Sequence, residues 1–304
     1  MSDTGSLKSG TILGEEAKPP FAVLPDPSSL FLNRARRLAT LAPTHELGPY
    51  LSFLAVVTGA QHEIQTDLPA PGLPPFERIG QALEHGMPPI SRALCEPDDT
   101  ALATLEHLLA RLQAAEVPSE SSAAIQALLV IPREERRKLA SAALKDTLPA
   151  EEVASGALLL GGLQVHFTRM AALLQASDLK PVGNGACPVC GSAPVSSAVV
   201  GWPKAYNTRF CTCSLCGAMW NAVRVSCLLC GSTDGISFRS IEGKPDSVKA
   251  EACEKCRGYV KILYQVKDPA LEALVDDVAT LGLDMLMAEQ GWKRGGQNPF
   301  LLGY

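Results

Sequence analysis

The chain has 304 residues, 46% of them hydrophobic and 19% charged, with a net charge of −5 and a pI near 5.6. That composition fits a globular protein long enough for more than one domain, and it gives no overall basic signature for binding nucleic acid. The first twenty residues, MSDTGSLKSGTILGEEAKPP, lack a basic start followed by an apolar run, and the longest apolar stretch is too interrupted to span a bilayer. The expectation is a cytoplasmic protein without a membrane segment, in a compartment where thiols stay reduced.

Residues 1–27 read as an extended arm, since AKPPFAVLPDPSS holds too many prolines for a helix. From Ser28 the period becomes helical. Phe31, Ala35, Leu38 and Ala42 share one face, and Leu47, Leu51 and Leu54 share another, with Pro49 placed in a first turn. A proline-rich loop covers 67–76. Beyond it Leu102, Leu105, Leu109 and Leu112 recur at helical spacing, SSAAIQALLVIP stops at Pro132, and PREERRKLASAALKD begins on that proline. A long segment near 149–177 closes a bundle of six or seven helices, assigned to a helical domain over 28–180.

KPVGNGA then reads as a linker, followed by short β-type runs: SSAVVGW, TRFCTC, MWNAVRV, GISFRSIEG, VKAEAC and YVKILYQV. At Asp268 the helical period returns, with Leu271, Leu274, Val278 and Leu281 on one face and a tail after it. The predicted fold class is α+β and multidomain. An all-α bundle precedes two tandem rubredoxin-like or zinc-ribbon β modules, at 185–226 and 227–266, and a C-terminal helix with tail at 267–304.

Nine of the ten cysteines fall between Cys187 and Cys256. Eight form Cys-x-x-Cys pairs: Cys187/Cys190, Cys213/Cys216, Cys227/Cys230 and Cys253/Cys256. Each cysteine of the first two pairs recurs 40 residues later, so CPVCGS aligns with CLLCGS and Arg209 with Lys249. This is the signature of a tandem duplication. Three ways of joining four pairs into two sites exist, and the repeat favours Cys187/Cys190 with Cys213/Cys216, and Cys227/Cys230 with Cys253/Cys256. The 22-residue spacer inside each unit suits a β-hairpin.

Two thiolates three residues apart meet one ion only if the chain turns tightly between them. Glycine after the second cysteine permits that turn at Gly191, Gly217 and Gly231. Cys256-Arg257-Gly258 departs from the pattern, which predicts a different turn at the fourth knuckle. Four thiolates make a closed tetrahedral site with no open position for a substrate, and they hold zinc or iron alike. A unit of about forty residues is near the lower limit for a stable core of its own, and metal can supply the deficit, since structural zinc contributes roughly 10–16 kcal/mol in small peptides.

The remaining candidates favour ordinary roles. Cys211 and Cys95 read as buried or half-buried thiols. His45, His62, His85, His107 and His166 lie far from the cysteines in sequence and form no ligand pair. Asp276, Asp277 and Asp284 read as a solvated or partner-facing polar stripe. Trp220 reads as core, and Trp202, at a hairpin tip, as a contact residue. No phosphate loop, nucleophile elbow or dinucleotide fingerprint appears, so no catalytic residue is assigned and the chain is not read as an enzyme. From Cys187 to Lys261 there are nine Lys/Arg and five Asp/Glu, a sum of +4 that two metal–tetrathiolate sites would cancel. Arg209, Arg224, Lys249 and Lys261 make at most a small basic patch, suited more to an acidic protein or to screening the metal's charge, and nucleic acid is not an expected partner.

The runs CPVCGSAPV, RFCTCSLCGAMWNAVRVSCLLCG, VKAEACEKCRGYVKILYQVKDP, DDVATLGLD and NPFLL, with AKPPFAVLPDPSSLFLNRARRL near the start, closely resemble the formate dehydrogenase accessory protein FdhE family. The resemblance implies a cytoplasmic maturation protein. It would be required for respiratory formate dehydrogenases, which are molybdenum or tungsten selenoenzymes exported folded by the twin-arginine route. It would contact their catalytic subunit before export without entering the mature enzyme. The resemblance further implies iron in two rubredoxin-like sites, with the eight cysteines of the four pairs as ligands. Family members place histidine where this chain has Asn221 and an apolar residue where it has Cys211, so no imidazole role carries over. Two other function classes stay open at this stage. A rubredoxin-type electron carrier would need little beyond the ribbons, and a zinc-ribbon nucleic-acid binder would show salt-dependent retention on DNA or heparin.

Overall fold

The computed structural model describes residues 19–183 and 185–303. Most of the predicted arm therefore lies outside the described residues. Its last part forms a short strand, β1 (Ala22–Val23).

Seven helices follow: α1 (Leu30–Leu41), α2 (Gly48–Glu63), α3 (Phe76–Glu84), α4 (Asp99–Gln113), α5 (Ser119–Val130), α6 (Arg133–Leu144) and α7 (Val153–Ala171). Each boundary has a local cause. Pro49 sits in the first turn of α2, where its missing N–H is no loss. Asp98 caps α4, accepting a hydrogen bond from the Ala101 N–H at 2.8 Å. Pro118 and Pro132 stand immediately before α5 and α6. Leu102, Leu105, Leu109 and Leu112 of α4 are all inaccessible to solvent. Helix α4 packs on α7, which is buried almost all round and so forms the axis of the bundle. Gly162 of α7 lies so close to α4 that a Cβ there would come within 2.5 Å of Leu105 Cδ2.

The second half is one sheet. It comprises β2 (Pro194–Val200), β3 (Thr208–Cys213), β4 (Met219–Asn221), β5 (Ile236–Arg239), β6 (Val248–Cys253) and β7 (Gly258–Tyr264). Two C-terminal helices follow, α8 (Val275–Ala279) and α9 (Leu281–Glu289), and then β8 (Lys293–Arg294). The strand order is β1-β4-β3-β2-β7-β6-β5, with β8 also beside β7. The 40-residue repeat is visible directly, because β3 maps onto β6 residue for residue, and β2 and β4 fall on β5 and β7. Within each repeat the strands are antiparallel. The two repeats join through a parallel pairing of β2 with β7, Ser196 opposite Lys261 through Val199 opposite Tyr264. β1 covers the free edge of β4, pairing Ala22 with Trp220.

The C-terminal segment packs back onto both halves. Leu283 and Met287 of α9 lie with Trp292 against Ala250, Ala252 and Tyr259 of the second repeat. Arg34 of α1 reaches Glu272 at 3.0 Å, and Arg37 reaches Asp276 at 2.6 Å. The helix expected from Asp268 begins only at Val275 and is broken at Thr280, so Asp277 and Asp284 sit on separate short helices.

These carboxylates are not a solvated stripe. Asp276, Asp277 and Asp284 are buried. Asp277 and Asp284 converge on Lys261 and Arg294, and Tyr259 donates to Asp284 at 2.7 Å. The expected basic patch is also dismantled. Arg209 and Lys261 are each 1% exposed and ion-paired internally. Arg224 donates to the Asn207 carbonyl, and Lys249 pairs with Asp246. Trp202 is half-buried and packs on Phe210, with ring centroids 5.0 Å apart. Trp220 is core, as its apolar setting predicts.

Candidate metal centres

Each repeat turns sharply at its cysteine pairs and brings four sulfurs together. In the first, the Gly191 N–H donates to the Cys187 carbonyl at 2.9 Å, and the Cys187 N–H to the Ser192 carbonyl at 2.9 Å. Forty residues on, Gly231 donates to Cys227 at 2.9 Å and Cys227 to Ser232 at 2.8 Å. The glycines take positive φ, 80° at Gly191, 72° at Gly217 and 75° at Gly231. The fourth knuckle turns the same way despite lacking glycine. Arg257 has φ 55°, and its N–H donates to the Cys253 carbonyl at 2.9 Å. The different turn expected there does not occur. Arg257 is held by Glu254 at 3.0 Å, by the Gln290 carbonyl at 3.1 Å, and by the Trp292 ring, 3.9 Å from its guanidinium carbon.

The sulfurs of Cys187, Cys190, Cys213 and Cys216 all lie within 4.8 Å of one another, and so do those of Cys227, Cys230, Cys253 and Cys256. Cys187–Cys216 and Cys190–Cys213 are 3.6 and 3.4 Å apart, and Cys227–Cys256 and Cys230–Cys253 are 3.6 and 3.7 Å apart. No disulfide joins any of the ten cysteines. A tetrahedron with metal–sulfur bonds of about 2.3 Å has edges of roughly 3.8 Å, close to these separations. Backbone N–H groups point at the sulfurs, from Leu215 and Cys216 to Cys213 and from Leu229 to Cys227, each at 3.4 Å. Such bonds stabilise thiolate.

The electrostatics of the cages also call for a cation. Burial pushes the Cys187 and Cys216 thiols well up and the Cys227 thiol to about 12. At Cys213 burial acts upward too. Hydrogen bonds from the other three sulfurs and the Cys216 N–H outweigh it and hold that thiol well below its usual range. Burial thus makes it costly for these clustered thiols to ionise without a counter-charge. A thiophilic ion offsets that cost. Either group of four can hold a metal ion, and with four sulfurs there is no open position for a substrate.

Cys211 is fully buried outside the first cage, and burial pushes its thiol up to about 12. Cys95 is half-buried in the helical half. No histidine belongs to either cage. Sequence reasoning missed the two groups of charges that fix the repeats. Arg209 of β3 reaches Glu251 of β6 at 3.0 Å, and Lys261 of β7 takes Asp277 and Asp284 from the two short C-terminal helices. One signal was available, since Arg209 and Lys261 each interrupt a β-type run with a lone charge, and Glu251 is the one acidic residue of VKAEAC.

Three successive family models together match nearly all of the chain between residues 19 and 301. They are described as FdhE, N-terminal (residues 19–184), FdhE, central domain (186–224), and FdhE, C-terminal domain (225–301). The chain belongs to the FdhE family. A protein named FdhE homolog from Rhizobium meliloti (strain 1021) is 39% identical over 97% of both chains. Another, from Stutzerimonas stutzeri (strain A1501), is 36% identical over 97% of this chain and 96% of that one. The crystal structure of the FdhE protein from Pseudomonas aeruginosa superposes with a TM-score of 0.82 at 32% identity, covering 94% of this chain and 99% of that one. The FdhE central model therefore contains the first cage, and the FdhE C-terminal model the second together with α8 and α9. Among the described residues, no helix of this FdhE chain is long and apolar enough to cross a membrane.

Proposed function

We propose that the chain is a cytoplasmic maturation factor for a respiratory formate dehydrogenase, binding its catalytic subunit before the enzyme is assembled. It is not itself a catalyst in this reading. The observation that carries the proposal is a pair of closed four-sulfur cages in an FdhE-family chain that matches its relatives over nearly its full length. Each cage would hold one iron ion, with Cys187, Cys190, Cys213 and Cys216 as ligands in one and Cys227, Cys230, Cys253 and Cys256 in the other. The bound iron would supply a cross-link and a fixed local charge. The chain's own residues do the rest. Paired knuckles hold each hairpin closed, Arg209 and Glu251 lock the two repeats together, and the α8–α9 segment ties the sheet to the bundle.

The internal pairing of Arg209 and Lys261 supports this reading over a nucleic-acid binder, which needs such cations free for phosphate. Deletion of the gene, with a plasmid copy for rescue, tests the assignment. Formate dehydrogenase activity should disappear on deletion and return with the wild-type copy, and the tagged chain should co-purify with the enzyme's catalytic subunit. Full activity in the deletion strain would refute it.

A further inference from the structure

The two cages share a ligand set and a backbone frame, yet they are covered very differently. All four cysteines of the first cage are 0% exposed. The helical half sits directly on its knuckles. Ile90 and Arg92 donate N–H bonds to the Val189 and Cys190 carbonyls at 3.1 and 2.9 Å. A Cβ at Gly191 would lie 3.1 Å from Pro88, and one at Gly217 would lie 2.7 Å from Leu30. Gln164 of α7, itself buried, donates to the Ser214 carbonyl at 2.6 Å. Uncovering these sulfurs means separating the bundle from the sheet.

In the second cage Cys227 and Cys253 are buried, but Cys230 and Cys256 lie at the surface. They form one wall of an open cleft of about 470 Å³ whose other walls include Ser232, Asp234 and Lys255. Of its lining residues, Lys255 and Asp234 pair at 3.1 Å, and both side chains are well exposed. Exposed pairs of this kind contribute little.

We propose that the second cage is the exchange centre, where a thiophilic metal ion enters and leaves by ligand substitution with small solvent-borne thiols or chelators, while the first is a sealed strut. In the substitution, the incoming donor forms a bond to the ion as the Cys230 or Cys256 thiolate releases its own, with no change in oxidation state. When the donor is a thiol, the proton it loses passes to the released cysteine thiolate; when the donor carries no proton, the released thiolate takes one from solvent. This inference rests on the reading that both cages hold metal, and it adds that they differ in kinetics because only one is reachable without opening the fold.

The test uses the full chain loaded anaerobically with zinc and assayed for metal content. Release is then followed with a chromogenic chelator, and thiols are trapped with iodoacetamide at each time point and mapped by mass spectrometry. Two ions per chain should leave in two phases of equal amplitude, the fast one at least roughly tenfold quicker. Label should reach Cys230 and Cys256 during the fast phase and Cys187, Cys190, Cys213 and Cys216 only in the slow one. Release of both ions in one phase, or earlier labelling of the first cage, overturns the inference while leaving the two-metal reading intact. Fewer than two ions per chain at the outset counts against the two-metal reading itself, and the inference falls with it.

Discussion

Arg209 of β3 and Glu251 of β6 meet at 3.0 Å across the parallel seam that joins the two repeats, and both side chains are buried. Arg209 also takes Ser197 Oγ at 3.1 Å and three carbonyls from Val223 to Ser226, the strip leading into the second cage. Burial raises the Glu251 carboxyl against the opposing pull of Arg209. The pair is therefore costly to split and less costly to replace whole. Arg209→Ala should lose about 3–5 kcal/mol in urea unfolding, whereas Arg209→Met with Glu251→Leu should lose much less. Equal losses for the two variants would show that packing, and not the stranded carboxylate, sets the cost.

Arg257 occupies the left-handed position that glycine fills in the other three knuckles. Its side-chain contacts offset the backbone cost, which is of order 1–3 kcal/mol for a non-glycine residue. Arg257→Gly should therefore stay within about 1 kcal/mol of the parent. Arg257→Val keeps the strain, adds β-branching and loses the contacts, so it should weaken metal retention at the second cage alone. Chelator release from each variant measures this.

His166 of α7 is 3% exposed, and burial holds its pKa down at about 4, with Arg169 adding to the fall and Asp98 opposing it. A depressed histidine contributes stability that is complete above its unfolded value of about 6.5 and is lost as pH falls toward 4. Acidification across that window should cost the parent on the order of 3 kcal/mol from this group. His166→Gln should flatten the dependence between pH 6.5 and 4 in thermal unfolding. An unchanged slope would assign the acid sensitivity to other groups.

The cages were legible because ligand spacing is a local, covalent property. Four Cys-x-x-Cys pairs at a 40-residue offset leave few ways to fold, and the observed grouping is the one the repeat favours. Helices α4 to α6 were legible for a similar reason, as leucine period and proline stops act within a few turns. The joining of the repeats was not. A parallel β2–β7 seam depends on contacts 65 residues apart, Ser196 with Lys261, and no local pattern encodes it. Buried charges misled for the same reason. Asp277 and Asp284 look solvated until Lys261 and Arg294 arrive from other elements.

The most direct test of the account is the metal environment of the chain purified without oxygen. Elemental analysis with X-ray absorption should find two ions per chain, each with four sulfur neighbours at about 2.3 Å, and visible ferric-thiolate absorption if the ion is iron. Oxygen or nitrogen neighbours, or disulfides within the four pairs in place of metal, would contradict it.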